Sequence, residues 1–197
     1  MKGKRVVSPP GRTKIINAMR ELLEERNLNS ITISDIAVTA GVTEGLIYKY
    51  FKDKRDLLHY VLKEHYEVFL LQIKRDLKGL EGALNKLRKI IWSSIERYAN
   101  HRVFARIILL EVRNSDEYFK SEAYELVREF NRIIIDIIEQ GIENSEIRQG
   151  LSSSYIRNAI FGTIEHSCMN RAIFNEKVLT DETAKNITEL IFNGIKP

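Results

Sequence analysis

Apolar side chains recur along this chain at three- and four-residue intervals, the spacing that places them on one face of a helix. Ile15, Ile16, Met19, Leu22 and Leu23 mark a first amphipathic helix over residues 12–26, and Asn27 to Ser30 break it. Thr32-Ile33-Ser34-Asp35 fits a capping box opening a short helix near 33–39. Gly41 can take the left-handed conformation that ends it, and Thr43 can cap a second short helix running to about Phe51. Asp53 caps a longer helix to Leu77, with Asp56 in its first turn and apolar positions at Leu57, Leu58, Val61, Leu62, Tyr66, Phe69, Leu70 and Ile73. Beyond Gly79 the periodicity predicts helices near 81–99, 101–114, 118–144, 152–174 and 181–194. Breaks are expected at Gly82, Asn114-Ser115-Asp116 and Gly150, with caps from Ser152 to Ser154 and Thr180. The pattern predicts an all-α protein of about nine helices, with no internal repeat. Ser8-Pro9-Pro10-Gly11 cannot continue a helix, so residues 1–11 read as a flexible basic arm.

Composition supports this picture. With 44% hydrophobic residues among 197, the chain can bury a sizeable core, and three prolines with ten glycines argue against a many-stranded β architecture. The single cysteine, Cys168, excludes an internal disulfide framework and a thiolate zinc site. No apolar run approaches the roughly 18 residues of a membrane span; Ile107 to Leu110 and Ile133 to Ile138 are short. Met1 to Arg12 lacks the apolar core of a signal peptide. The expectation is a soluble cytoplasmic protein without membrane contact.

Charge divides the chain unevenly. Residues 1–60 hold 11 basic side chains against 7 acidic ones, and this excess is the whole of the formal net charge of +4. Four of those bases fall within residues 49–55. The first third, including Arg12 and Lys14, is therefore suited to a polyanion, while the remainder is electrically balanced.

Two short helices around a glycine turn, preceded by a third helix in the basic third, make a helix-turn-helix over residues 32–51. Ala37 and Gly41 are small where the helices cross, and Ile36, Val42, Ile47 and Phe51 can form the shared core. The opposite face of the second helix carries Thr43, Glu44, Tyr48 and Lys49, with Tyr50 near its end. These groups suit phosphates, base edges and thymine methyls in a major groove. Lys54 and Thr32, at helix starts, can add phosphate contacts.

The run Thr32-Ile33-Ser34-Asp35-Ile36-Ala37 through Ala40-Gly41-Val42-Thr43-Glu44-Gly45-Leu46-Ile47-Tyr48-Lys49-Tyr50-Phe51-Lys52-Asp53-Lys54 resembles the DNA-binding segment of TetR-type transcriptional repressors. The resemblance covers about residues 12–60. It implies a homodimer with a DNA reader at residues 12–58 and a ligand-binding and dimerisation domain at 59–197. It also implies a groove-facing helix carrying Thr43, Gly45, Tyr48, Lys49 and Tyr50, with Lys54 on a phosphate. Glu44 departs from the basic or neutral residue of many relatives; its carboxylate can accept from a cytosine amino group.

In the C-terminal half, α-helical spacing puts Phe104, Ile107, Ile108 and Glu111 on one face of the 101–114 helix and Arg106, Leu110 and Arg113 on another. Such charges can meet a polar ligand head or pair with one another. Leu109-Leu110-Glu111-Val112-Arg113-Asn114-Ser115, Ile160-Phe161-Gly162-Thr163-Ile164-Glu165-His166 and the connection from Gly141 to Leu151 are similar to segments of fatty-acid-degradation repressors within that family. This resemblance implies a long-chain acyl-CoA inducer, with Trp92, Phe104, Ile108, Phe130, Ile134 and Phe161 as walls and Arg106 and Arg113 as polar partners. Glu111 and His166, the latter standing where that branch is expected to carry an acid, complete the candidate ligand residues. The last two helices carry Ile156, Ile160, Ile164, Ile187 and Ile191, with Ala159, Gly162 and Thr163 allowing close approach. This pattern predicts a four-helix homodimer that presents two readers to a palindromic operator.

Other functions fit these features less well. A multidrug or other lipophile sensor would bury acids among aromatics, with Glu111 and Glu165 the candidates. A non-specific architectural DNA binder lacks the strong overall positive charge expected. An all-helical enzyme is a remote alternative: no HExxH pair, aspartate-rich box or phosphate-cradling glycine loop is present, and His59, His65, His101 and His166 have no metal-ligand partners in helical register. No catalytic residue, metal site or cofactor is therefore assigned, apart from the small-molecule inducer.

Overall fold

A computed structural model describes residues 9–197. Every regular element among them is helical: α1 (Pro10–Glu25), α2 (Ile33–Ala40), α3 (Glu44–Tyr50), α4 (Lys54–Leu77), α5 (Ala83–Asn100), α6 (Arg102–Arg106), α7 (Asp116–Phe119), α8 (Glu122–Glu143), α9 (Ser153–Ser167), α10 (Met169–Phe174) and α11 (Thr180–Ile195). A 3₁₀ turn at Leu28–Ser30 and a π-helical turn at Ile107–Glu111 complete the set. The helices past nine come from breaks that periodicity does not register. The expected 152–174 segment divides at Cys168, and a single turn, α7, separates from α8. None of these helices is long and apolar enough to cross a membrane.

The chain divides into two compact units, one ending at Glu64 and the other spanning His65–Pro197, and α4 supplies residues to both. In the first unit, α1 starts earlier than its apolar pattern implies. Pro9 is the N-cap and Pro10 opens the first turn, where a proline's missing N–H costs nothing and its fixed φ is already helical. Gly11 lies in that first turn, so residues 10 and 11 belong to the helix and not to the expected arm. Residues 1–8 of that arm lie outside the described residues. The core of this unit gathers Ile15, Ile16, Met19, Leu22 and Leu23 with Ile36, Ala37, Ile47 and Phe51, closed by Leu57, Leu58, Val61 and Leu62 of α4.

Local chemistry fixes each turn of this unit. The Thr32 hydroxyl accepts from the Asp35 N–H at 3.1 Å while the Asp35 carboxylate accepts from the Thr32 N–H at 2.8 Å, a complete capping box. Those hydrogen bonds, with Arg26 at 3.4 Å, hold the Asp35 carboxyl below its ordinary range. Gly41 ends α2 at φ 62°, and the N–H groups of Gly41 and Val42 return to the carbonyls of Val38 and Ala37. Asp53 accepts from the Asp56 N–H and Asp56 from the Lys52 N–H, both at 2.9 Å, so two carboxylates cap the start of α4.

In the second unit, α5 packs against α8, α9 and α11 over a core of Leu87, Ile90, Ile91, Ile95, Ile134, Ile138, Ile160, Ile164 and Phe192. The close approach of α8 to α5 requires a glycine: a Cβ on Gly141 would sit 2.7 Å from the Ala83 Cβ. Four residues expected at a dimer interface, Ile156, Ile160, Ile164 and Ile187, are instead buried in the core of the protomer itself. A helical stripe in sequence records burial without recording which chain does the burying. Ile191 packs partly against the same core, and the Thr163 hydroxyl donates to the Ala159 carbonyl at 2.7 Å. Ala159 and Gly162 are exposed on α9, as is Tyr155, and Leu190 is exposed on α11.

Candidate DNA reader and ligand cavity

In the first unit, α1 packs on α2 and α3, and Ile47 anchors α3 to the core. This leaves Thr43, Glu44, Gly45, Tyr48 and Lys49 on the exposed side. Tyr48 is 56% exposed, so its ring and hydroxyl are available for contact. Thr43 occupies the N-cap position without a side-chain capping hydrogen bond. A Cβ on Gly45 would meet nothing closer than 4.0 Å, so the backbone here is open to close approach. Tyr50 is half-buried, and its ring lies beside Gly11. Lys14 is exposed on α1.

Three of the sequence-assigned DNA residues have structural work within the unit. The Lys54 ammonium donates to the carbonyls of Leu28, at 2.6 Å, and Ile31, which pins the loop ahead of α2. The Arg12 guanidinium lies 3.9 Å over the Tyr60 ring and donates to its hydroxyl at 2.8 Å. Thr32 is engaged in its capping box.

The second unit contains a cavity of about 470 Å³ walled by α4, α5, α7, α8, α9 and the segment around the π turn. Of the ligand residues expected from sequence, Ile108, Arg113, Phe130 and Phe161 line it. Phe130 stands edge-on to both Phe69 and Phe161, with ring centroids 5.2 and 5.7 Å away. The other six lie elsewhere. Trp92 donates to Asp181 at 2.7 Å beside a smaller concavity, and Phe104 stacks on His65 at 3.5 Å. Arg106 and Glu111 pair with each other at 3.1 Å, Ile134 is in the core, and His166 is exposed near the end of α9.

The π turn explains the displaced pair. The Val112 N–H reaches the Ile107 carbonyl five residues back, so one extra residue enters the turn and α-helical face assignments fail from there on. Arg106 and Arg113, in register on a regular helix, separate. Arg106 turns to Glu111, whereas Arg113 reaches the cavity and grips both oxygens of Glu165.

Several cavity residues had no sequence assignment: Tyr66, Arg97, Tyr98, Tyr118, Asn131 and Arg157 among them. The Tyr66 and Tyr118 hydroxyls meet at 3.0 Å, and burial raises the pKa of both phenols. Arg97 lies 4.6 Å over Tyr66 and 4.2 Å over Phe69 and donates through Nε to His65 Nε2 at 2.8 Å. Their signal was present in the sequence. The apolar stripe Leu87, Ile90, Ile91 of α5 continues into Ser94, Arg97 and Tyr98, polar groups at positions where a closed core would carry aliphatics. No group of three or more His, Cys, Asp or Glu among the described residues is placed to hold a metal ion.

Comparisons with known proteins match both units. Residues 15–61 match the family described as bacterial regulatory proteins, tetR family, and residues 62–194 match the YsiA-like protein, C-terminal region. The fatty acid metabolism regulator protein of Bacillus subtilis (strain 168) is 31% identical over 186 residues, covering 94% of this chain and 96% of its own. The crystal structure of the transcriptional regulator FadR from Bacillus subtilis in complex with stearoyl-CoA has a TM-score of 0.82 at 30% identity. The match covers 93% of this chain and 98% of that one. The fatty acid degradation regulator FadR from Bacillus halodurans, at 24% identity and a TM-score of 0.82, covers 95% and 97% and shares the fold.

Proposed function

The chain belongs to the TetR family of bacterial transcriptional regulators, and from that premise we propose that it is a homodimeric repressor released from a palindromic operator by a long-chain acyl-CoA. The observation that carries the ligand class is the charge on the cavity wall. Arg97, Arg113 and Arg157 share the wall with a single carboxylate, Glu165, and Arg113 already neutralises it. A cavity of this kind favours an anionic amphiphile, whose chain packs against Phe69, Phe130 and Phe161. A cationic-drug sensor needs an acid left without a cation, and neither candidate qualifies, because Glu111 pairs with Arg106. The solved relative that holds stearoyl-CoA supports the same chemistry.

Thr43, Glu44, Gly45, Tyr48 and Lys49 supply groove contacts, with Lys14 and Tyr50 flanking them. Arg12, Thr32 and Lys54 act on DNA chiefly by holding the reader in shape. Dimerisation uses the exposed sides of α9 and α11, at Tyr155, Ala159, Gly162, Thr163, Ile191 and Leu190. The ligand acts by differential affinity: it stabilises a state of the dimer whose readers do not fit both half-sites, and operator affinity falls by the same coupling. The protein works in the cytoplasm, beside the chromosome, and does no catalysis.

The test has two parts. Selection from a random duplex pool is expected to enrich an inverted repeat, with half-sites about 34 Å apart or a multiple of that. Palmitoyl-CoA, but not free CoA, is expected to raise the melting temperature saturably. A pool without an enriched site would overturn the reader. No thermal shift with acyl-CoAs of any chain length would remove the acyl-CoA assignment.

A further inference from the structure

Every charged group on the cavity wall except two has an opposite charge beside it. Arg113 has Glu165, whereas Arg157 donates only to the amide oxygens of Asn131, at 3.0 Å, and Asn158. Arg97 is the more exposed to this deficit. Its Nε donates to a neutral acceptor, the His65 imidazole, and two aromatic rings flank its guanidinium. Its Nη2 is out of solvent contact and has no hydrogen-bond partner.

A guanidinium cannot shed its charge near neutral pH, although burial here lowers its pKa. Aromatic faces offset part of the desolvation and a neutral imidazole adds one hydrogen bond, but neither supplies negative charge. The arrangement is unfavourable as a finished structure and reasonable as a receptor. An incoming anionic oxygen would satisfy Nη2 and neutralise the cation in a low-dielectric setting, where such a pair is strongest.

We propose that Arg97 is the seat for an anionic oxygen of the ligand, and that this single contact makes the cavity choose acidic acyl compounds over neutral lipophiles of equal chain length. The oxygen can come from the carboxylate of an unesterified fatty acid or from a phosphate of an acyl-CoA. The proposal deepens the functional reading, since it rests on the same cavity being the ligand site.

The full-length protein, titrated calorimetrically with palmitate, palmitoyl-CoA and hexadecanol, separates these possibilities. Arg97→Met is expected to weaken binding of at least one acid by about tenfold or more and to leave hexadecanol unchanged. The acid that loses affinity identifies the source of the oxygen. The ligand-free melting temperature of the variant should hold or rise, because an uncompensated charge has been removed; a purely structural arginine would lower it. If Arg97→Met does not fold, Arg97→Lys keeps the charge without the planar fork and is expected to bind the same acid several-fold more weakly, equal affinity overturning the proposal. Palmitoyl-CoA binding equally to wild type and Arg97→Met, with palmitate also unaffected, overturns the role of Arg97 and leaves the acyl-CoA reading standing. Arg97-dependent binding of palmitate, with no binding of palmitoyl-CoA to the wild type, upholds Arg97 and overturns the acyl-CoA reading. If neither acid binds the wild type, both fall.

Discussion

The reader and the cavity both gather cations among tyrosines, yet they do so in opposite solvents. On α3, Lys49 and Tyr48 stand in water, where one exposed charge is worth little and recognition comes from many contacts acting together. Around the cavity, Arg97 is held among Tyr66, Phe69 and Tyr118 with its Nη2 out of water, so one unsatisfied nitrogen dominates. Under the proposed function, the same residue types serve two kinds of specificity. One is distributed and screened by salt; the other is concentrated and protected from it.

Substitutions can break that contrast. The largest expected effect is that of Tyr48→Ala with Lys49→Ala. Each base-edge contact is worth roughly 1–3 kcal/mol, so loss of both should lower operator affinity by on the order of 100-fold, measured by fluorescence anisotropy. Palmitoyl-CoA should still stabilise this variant as it does the wild type; loss of both responses would show that the two sites are not separable. Thr32→Ala comes next, with about 1 kcal/mol less stability from the broken capping box, measured by urea unfolding. The Asp35 side of the capping box also has a sign in pH. The Asp35 carboxyl is held below its ordinary value of 3.8, so its stabilisation is present above that pH and is lost as pH falls through the depressed value. The wild type should therefore lose more stability than Thr32→Ala on acidification.

Glu165→Gln sharpens the other side of the comparison. It leaves Arg113 without its carboxylate, so the cavity gains an uncompensated cation and palmitoyl-CoA affinity should rise several-fold in a calorimetric titration. A fall would mean that the Arg113 to Glu165 pair is itself part of the ligand contact. The smallest effect is expected for Lys14→Ala. A single lost phosphate contact should reduce the slope of log operator affinity against log salt by about 0.9 with little change in base preference. An unchanged slope would take Lys14 off the DNA.

The two regions also differ in how much of them could be read from sequence, for a physical reason. The reader is built from short-range chemistry: Thr32 and Asp35, Gly41, and Asp53 with Asp56 each act within four residues, so caps and turns were visible as written. The structural role of Lys54 is not legible locally, because its carbonyl partners lie 23 and 26 residues away. The cavity is long-range throughout. Arg113 meets an acid 52 residues on, Arg97 a histidine 32 residues back, and the π turn shifts the register on which facing residues are counted. The family resemblance implies Phe130 and Phe161, which line the cavity, together with Trp92 and Phe104, which pack elsewhere. The polar interruption of the α5 stripe at Ser94, Arg97 and Tyr98 is a further legible trace of the cavity's chemistry.

The most direct test of the link between cavity and operator is a titration of the protein bound to its selected, fluorescently labelled operator duplex with palmitoyl-CoA, with free CoA as control. Saturable loss of anisotropy with palmitoyl-CoA and none with CoA is the expected result. An operator complex that survives saturating palmitoyl-CoA, or one released equally by CoA, would contradict it.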